Sequence, residues 1–400
     1  MRPPGAVVRP VITDEVQIGS ALPWSVYDRD RKLLFVQGMV IASQAHLDIV
    51  LERGMVMPEP SDTEPDDWLA EDAEGADDAE AAAPREAEPP VFRLMQQLRR
   101  ELQGLHEAIL QSDCDTLGED VLELADRLRA LVLRDADAAL AAMQLEVGDD
   151  GEVARMMHAA TLCQMLAQAQ GWDEDESRSV VAAALTFDIA LGPVAATLNG
   201  QQTALTADQR ELIASHPQAG VELLQAAGVT DPVWLEVVLQ HHERLDGSGY
   251  PNRLPGPTIS RGARMLAIVD IFSARVRPRG YREAIHARHA LRNLFLKRGK
   301  VVDEALATLL VREIGVFPPG TPVQLANGEI GVVRRRGADA AHPFVSRLIN
   351  ANGTLAAIAT QRDTSKPEYA ITETVPPQKY QVLVAGAGEL WCNDRGLLRP

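Results

Sequence analysis

Thirty residues, Ser61 to Pro90, hold twelve Asp or Glu against a single Arg, and Trp68 and Leu69 are their only bulky apolar side chains. Such a run cannot bury enough apolar surface to offset the entropy of ordering it, so residues 61–90 are expected to form an acidic disordered linker. The 400 residues are thereby divided into a short leading part and a long body. The linker also absorbs most of the charge. Of the formal −18, −11 lies within it and −7 on all other residues. The body carries no basic excess, so a nucleic-acid polymer is not an expected partner.

Residues 1–60 read as a small α/β unit. Strand candidates at Leu22–Val26 and Leu33–Val36 flank the turn-rich Asp28-Arg29-Asp30, and Ser43–Arg53 has a helix start signal and Gly54 as a stop. Residues 91–149 place Leu94, Leu98, Leu102 and Leu105, then Leu122, Leu124, Leu128 and Leu131, at spacings that suit amphipathic helices leading into the next domain. The pattern covers too few heptads to prefer a coiled coil, although a homodimer remains an option. Residues 150–316 are helix-rich, with breaks expected at Gly171, Gly192-Pro193, His216-Pro217 and Gly228. From residue 317 the texture changes. Val323–Leu325 and Ile330–Arg334 flank Asn327-Gly328, and Val345–Ile349 and Thr354–Ile358 flank Asn352-Gly353, so 317–400 is expected to be a small β-barrel or sheet. The fold class is therefore multi-domain, with a central all-α domain between a small α/β unit and a β-rich unit. Cys114, Cys163 and Cys392 are scattered without a CxxC, Met1 to Asp14 lacks an apolar signal core, and no run approaches the ~20 apolar residues of a membrane helix. A cytoplasmic, membrane-free protein is the expectation.

The chemistry concentrates in His241-His242-Glu243-Arg244-Leu245-Asp246-Gly247-Ser248-Gly249-Tyr250-Pro251. Adjacent imidazoles at a helix end suit a divalent metal, because the neutral ring nitrogen is its commonest ligand. His158 in Met157-His158-Ala159, His216 in His216-Pro217-Gln218-Ala219-Gly220, and Asp270 among Ile268, Val269, Ile271 and Phe272 add further candidates. A carboxylate among such apolar neighbours is costly unless paired or metal-bound. Motif, order and spacing over residues 150–315 resemble the HD-GYP proteins, a bacterial branch of the HD phosphohydrolases, and Arg279-Gly280-Tyr281-Arg282 is similar to a further segment of that family.

The resemblance implies an all-α domain, a two- or three-metal site (Fe or Mn) and hydrolysis of cyclic di-GMP to pGpG or GMP. It assigns His158, Asp188, His216, His241, His242 and Asp270 as metal ligands, with Asp188 also catalytic as the bridging carboxylate. One partition gives His216, His241 and His242 to one ion and His158 and Asp270 to the other. Gly249, Tyr250, Pro251 and Arg264 are the substrate-binding candidates. Arg264 belongs to a group with Arg261, Arg275, Arg277 and Arg279 that reads equally well as a solvated helix face or a phosphate rim. One motif departs from the family. Where it reads His-Asp-Ile-Gly-Lys, this chain reads Phe187-Asp188-Ile189-Ala190-Leu191. A phenyl ring has no lone pair to donate, and Leu191 removes a phosphate-facing charge. The expectation is a signalling protein with weakened hydrolysis that binds cyclic di-GMP or a protein partner such as a diguanylate cyclase domain. An active phosphodiesterase and a metal-free scaffold are the two alternatives.

Overall fold

The computed structural model describes scattered positions between residues 9 and 56, and residues 89–111, 116–145, 151–201, 203–276, 286–354, 356, 359–375 and 387–392. The acidic linker 61–88, Arg277 and the segment 279–282 lie outside the described residues, as does most of the helix expected at 43–53. The chain divides into two compact units, residues 1–89 and 90–400.

In the first unit, β1 (Arg9–Pro10), β2 (Val26–Tyr27), β3 (Leu33–Phe35) and β4 (Met55–Val56) form an antiparallel sheet in the order β1-β4-β2-β3. Of the two strand candidates, Leu33–Val36 coincides with β3, whereas the one expected at Leu22–Val26 meets β2 only at Val26, which lies opposite Phe35.

The second unit is helical and then β-rich. Its helices are α1 (Val91–Gln111), α2 (Leu117–Arg134), α3 (Ala136–Leu145), α4 (Glu152–Ala169), α5 (Glu174–Thr186), α6 (Gly192–Gly200), α7 (Ala207–Ala226), α8 (Pro232–Gln240), α9 (Arg261–Val276), α10 (Ala287–Phe295) and α11 (Glu304–Ile314). Local chemistry starts them where it should. Asp173 accepts from the Glu176 amide at the head of α5, Thr206 and Gln209 form a capping box on α7, and Asp231 and Asp303 cap α8 and α11. Gly171 and Gly228, at φ 67° and 86°, follow α4 and α7. Fourteen of the eighteen residues of α4 are buried, so this helix is the axis of the core. One stretch corrects the composition reading. Residues 174–195, which span α5 and the start of α6, have the length and composition of a membrane span, but 61% of the 18-residue apolar window is buried inside the protein, as in a packed core.

His216-Pro217 is not a break: α7 runs through it. Proline removes the amide that would have bonded the Ile213 carbonyl four residues back, at a usual cost of ~3 kcal/mol. Here the His216 ring takes over, its Nδ1 lying 2.6 Å from that carbonyl.

The C-terminal part is an open five-stranded antiparallel sheet in the order β8-β7-β6-β5-β9, made of β5 (Pro322–Leu325), β6 (Ile330–Arg335), β7 (Phe344–Ile349), β8 (Gln361–Asp363) and β9 (Ile371–Thr374). No pairing among the described residues closes it into a barrel. The strand expected at 354–358 is only partly described. Asn350 bonds the Thr354 carbonyl and Ala356 the Leu348 carbonyl, but regular pairing begins at Gln361. The sheet has a small core of Val323, Leu325, Val333 and Val345, while Val332, Ala387 and Trp391 join the helical core. Trp391, on the short α12 (Glu389–Cys392), stacks on Phe92 of α1 at 6.1 Å. Arg336 reaches Asp137 of α3 at 2.5 Å and the Glu313 carbonyl of α11 at 2.6 Å. Sheet and helices are thus one unit.

One buried group outside the site sets a pH dependence. His106 lies in α1 with Nε2 2.7 Å from the Leu185 carbonyl, and burial lowers its pKa from 6.5 to about 4. Between those values the unfolded chain binds the proton and the folded chain does not, so stability rises with pH across this window and is lost as pH falls through it. The urea midpoint of the metal-free protein is expected to drop between pH 6.5 and 4.5, with the buried histidines of the site contributing in the same sense, and His106→Gln to reduce that slope by its share. A midpoint independent of pH there would contradict the assignment.

Candidate metal centre and cleft

Three chain segments converge on one point. Asp188 follows the C-cap of α5, His216 sits mid-way along α7, and His241 caps α8 with His242 next to it. Trp234 Nε1 donates to Thr186 Oγ1 at 2.8 Å, pinning α8 to the end of α5 just before Asp188. One ligand atom from each of Asp188, His216, His241 and His242 lies within 4.8 Å of all the others.

The hydrogen bonds around these rings fix their state. His216 Nδ1 points at the Ile213 carbonyl and His241 Nδ1 at the Val238 carbonyl, each at 2.6 Å. Val238 is in the last turn of α8, where carbonyls lack intrahelical partners. A carbonyl only accepts, so both Nδ1 atoms carry the proton. Burial pushes His216 down to about 4 and His241 to about 3, and with the neighbouring imidazoles it holds His242 well below its usual value. The rings are therefore neutral, and the two Nε2 atoms, 3.2 Å apart, face each other with bare lone pairs. Asp188 Oδ1 lies 3.0 Å from one and 3.5 Å from the other, without a hydrogen bond of its own. Three imidazole nitrogens and a buried carboxylate oxygen, mutually repulsive without a shared cation, are the donor set of a divalent metal. The chemistry of these residues fits one such ion.

The other two assigned ligands are not part of that group. His158, on α4, is buried with its ring tilted 6.0 Å from Phe272. Asp270, on α9, faces the site, but it is engaged by Arg155, which sequence reasoning missed. The buried Arg155 guanidinium pairs with Asp270, Asp188 and Glu152 at once. It also lies 5.1 Å over the Phe187 ring. Phe187 is fully buried, with its ring centroid 5.0 Å from that of His241 in an edge-to-face arrangement. A signal was available: Arg155 lies one turn before His158 on a helix otherwise built for burial, and a buried arginine needs anionic partners.

Above the centre opens a cleft of about 920 Å³ whose wall includes Asp188, Leu191, His216, His242, Arg244, Tyr250, Asp270, Arg275 and Lys297. Tyr250 packs 4.7 Å from the His242 ring, and burial raises its hydroxyl pKa. Gly249 lies behind this wall. A Cβ there would meet backbone atoms of His242, Glu243 and Arg244 at 2.5–2.6 Å, so the loop closes only around glycine. Pro251 follows Tyr250 at the rim of the loop, and the Glu243 carboxylate holds that loop by accepting from the Asn252 and Leu254 amides at 2.7 and 2.9 Å. Asp246 accepts from Ser248, which is turn chemistry. Arg264 does not reach the cleft. It pairs with Asp303 at 3.2 Å beside a separate depression lined by Trp172 and Arg261. Of the α9 arginines, Arg275 is the one that faces the centre.

A helical unit that draws histidines and an aspartate from separate helices onto one point is an HD-type domain, and residues 122–306 match the family model described as HD domain. Curated relatives include the cyclic di-GMP phosphodiesterase PA4108 of Pseudomonas aeruginosa, 31% identical over 214 residues (53% of this chain, 51% of that protein). They also include the cyclic di-GMP phosphodiesterase response regulator RpfG of Xanthomonas campestris pv. campestris, 32% identical over 233 residues (57% and 59%). The chain spans about half the length of these relatives. Among solved structures, Bd1817, a HDG"Y"P protein from Bdellovibrio bacteriovorus, aligns over 76% of this chain and 98% of its own at 15% identity and a TM-score of 0.48. The chain thus carries an HD domain at residues 122–306, and its similarity to these relatives makes that domain one of HD-GYP type.

Proposed function

We propose that this protein is a signalling receptor that binds cyclic di-GMP in the cleft above Asp188 and hydrolyses it weakly. The observation that carries the reading is Phe187. A ring with no lone pair is packed against His241 where the family supplies a histidine, and Leu191 lines the cleft where the family supplies a lysine. The relatives' names support a cyclic dinucleotide as the ligand. The cleft volume is at the upper end of the ~300–1,000 Å³ range of small-molecule sites, and Arg244, Arg275 and Lys297 supply positive charge for two phosphates. A divalent ion (Fe or Mn) held by Asp188, His216, His241 and His242 would add a charge for phosphate oxygens. A cytoplasmic location and a diguanylate cyclase domain or a second copy as protein partner extend the same proposal.

Calorimetric titration with cyclic di-GMP, run beside 3'3'-cGAMP and followed by product analysis, tests it. Saturable binding of cyclic di-GMP with little linear product is the expected result. Arg275→Glu is expected to weaken binding by about 10–100-fold, the scale of a lost charged hydrogen bond. Absence of binding to either dinucleotide would favour the scaffold alternative, and rapid hydrolysis would favour the active phosphodiesterase.

A further inference from the structure

We propose that Arg155 is a built-in cation that stands where a second metal ion would otherwise sit, so that the site takes one divalent ion rather than two. This rests on the metal centre described above and concerns its stoichiometry. The argument begins with charge. Glu152, Asp188 and Asp270 bring three carboxylates to the floor of the cleft. Buried carboxylates need a cation among them. The ion expected between Asp188 and Asp270 would be held by these two carboxylates together with His158. The structure instead puts the Arg155 guanidinium there, pairing through Nη2 with Asp188 and Glu152 and through Nη1 with Asp270.

Several features make this a built position. Arg155 projects from the most buried helix of the unit, and its side chain is only 7% exposed. Glu152, one turn earlier on α4, accepts from its Nε at 2.8 Å and holds the head in place. Phe187 supplies a flat apolar surface under the guanidinium at 5.1 Å, a favourable cation–π contact that an imidazole ligating a metal could not provide. The phenyl ring at 187 and the cation at 155 therefore complement each other in the same space. His158, the remaining assigned donor, packs 6.0 Å from the Phe272 ring and is not among the four residues that share one point. A second divalent ion would have to displace a fixed positive charge from its three partners, whereas the ion at Asp188, His216, His241 and His242 has no such competitor on the histidine side.

The test is a metal count on the full-length protein. Metal-stripped wild type, Arg155→Met and Arg155→Lys are dialysed to equilibrium against excess Mn(II), and bound Mn is counted and examined by electron paramagnetic resonance. Wild type is expected to hold one Mn per chain with the six-line spectrum of an isolated ion. Arg155→Lys, which keeps the charge, is expected to stay at one, and Arg155→Met to rise to two with spin coupling between the ions. Two coupled Mn in wild type, or a count of one in a folded Arg155→Met, would overturn the proposal while leaving the metal centre intact. No Mn on any of the three would remove the metal centre itself, and this proposal with it. Should Arg155→Met fail to fold, the wild-type and Arg155→Lys counts still decide.

Discussion

Arg155→Met is expected to lower the stability of the metal-free protein by about 3–5 kcal/mol, the scale on which breaking a buried ion pair from one side destabilises a fold. Methionine keeps much of the packing volume, so the loss falls on the charge. Glu152, Asp188 and Asp270 would be left close together without their cation. At neutral pH they must then take up a proton or draw in water, and both are unfavourable in the floor of a largely buried site. Mn(II) should restore most of the deficit, because an ion bound only by the folded state stabilises it by about 2.7 kcal/mol at one hundred times its dissociation constant. Urea melts with and without Mn(II) read both effects. A variant as stable as wild type without metal would mean that the three carboxylates are solvated and that Arg155 is not their necessary partner.

The second large effect is a gain of function that depends on the order of substitution. Phe187→His with Leu191→Lys restores the two family residues, yet while Arg155 holds Asp188 and Asp270 it is expected to raise cyclic di-GMP hydrolysis by less than about 10-fold. Adding Arg155→Met in the presence of Mn(II) or Fe(II) is expected to raise it by at least about 100-fold over wild type. The scale follows from the ~10–100-fold carried by groups that only support a metal ligand and the ~10²–10³-fold carried by one electrostatic contact to a developing charge. Initial rates of pGpG and GMP release from the double and triple variants check this. Equal rates in the two would show that Arg155 does not limit the site.

Much of the site was legible in the chain because its chemistry is local in sequence. His241 to Pro251 combines a helix end, a glycine-dependent close approach at Gly249 and a tilted ring contact from Tyr250, and each leaves a residue-type signature. The glycine break at Gly171 was readable for the same reason, and the caps at Asp173, Thr206 and Asp231, which the sequence reading did not single out, are equally local. What escaped was long-range. Arg155 and Asp270 are 115 residues apart, and a lone arginine in a helix pattern does not announce its partners. Arg264 failed as a rim residue by the turn of one helix: Arg264 and Arg275 share α9, but only Arg275 looks into the cleft. Pro217 read as a helix break, and the helix continues because a side chain repairs the lost bond. The carbonyl it strands at Ile213 is what orients His216.

The central claim, a cyclic di-GMP receptor with a crippled catalytic site, is tested most directly on the wild-type protein loaded with Mn(II) or Fe(II). The same sample is titrated with cyclic di-GMP and then assayed for product. The account predicts saturable binding with turnover at least about 100-fold below the 1–10³ s⁻¹ usual for enzymes. Turnover within that range, abolished by Asp188→Ala, would contradict it.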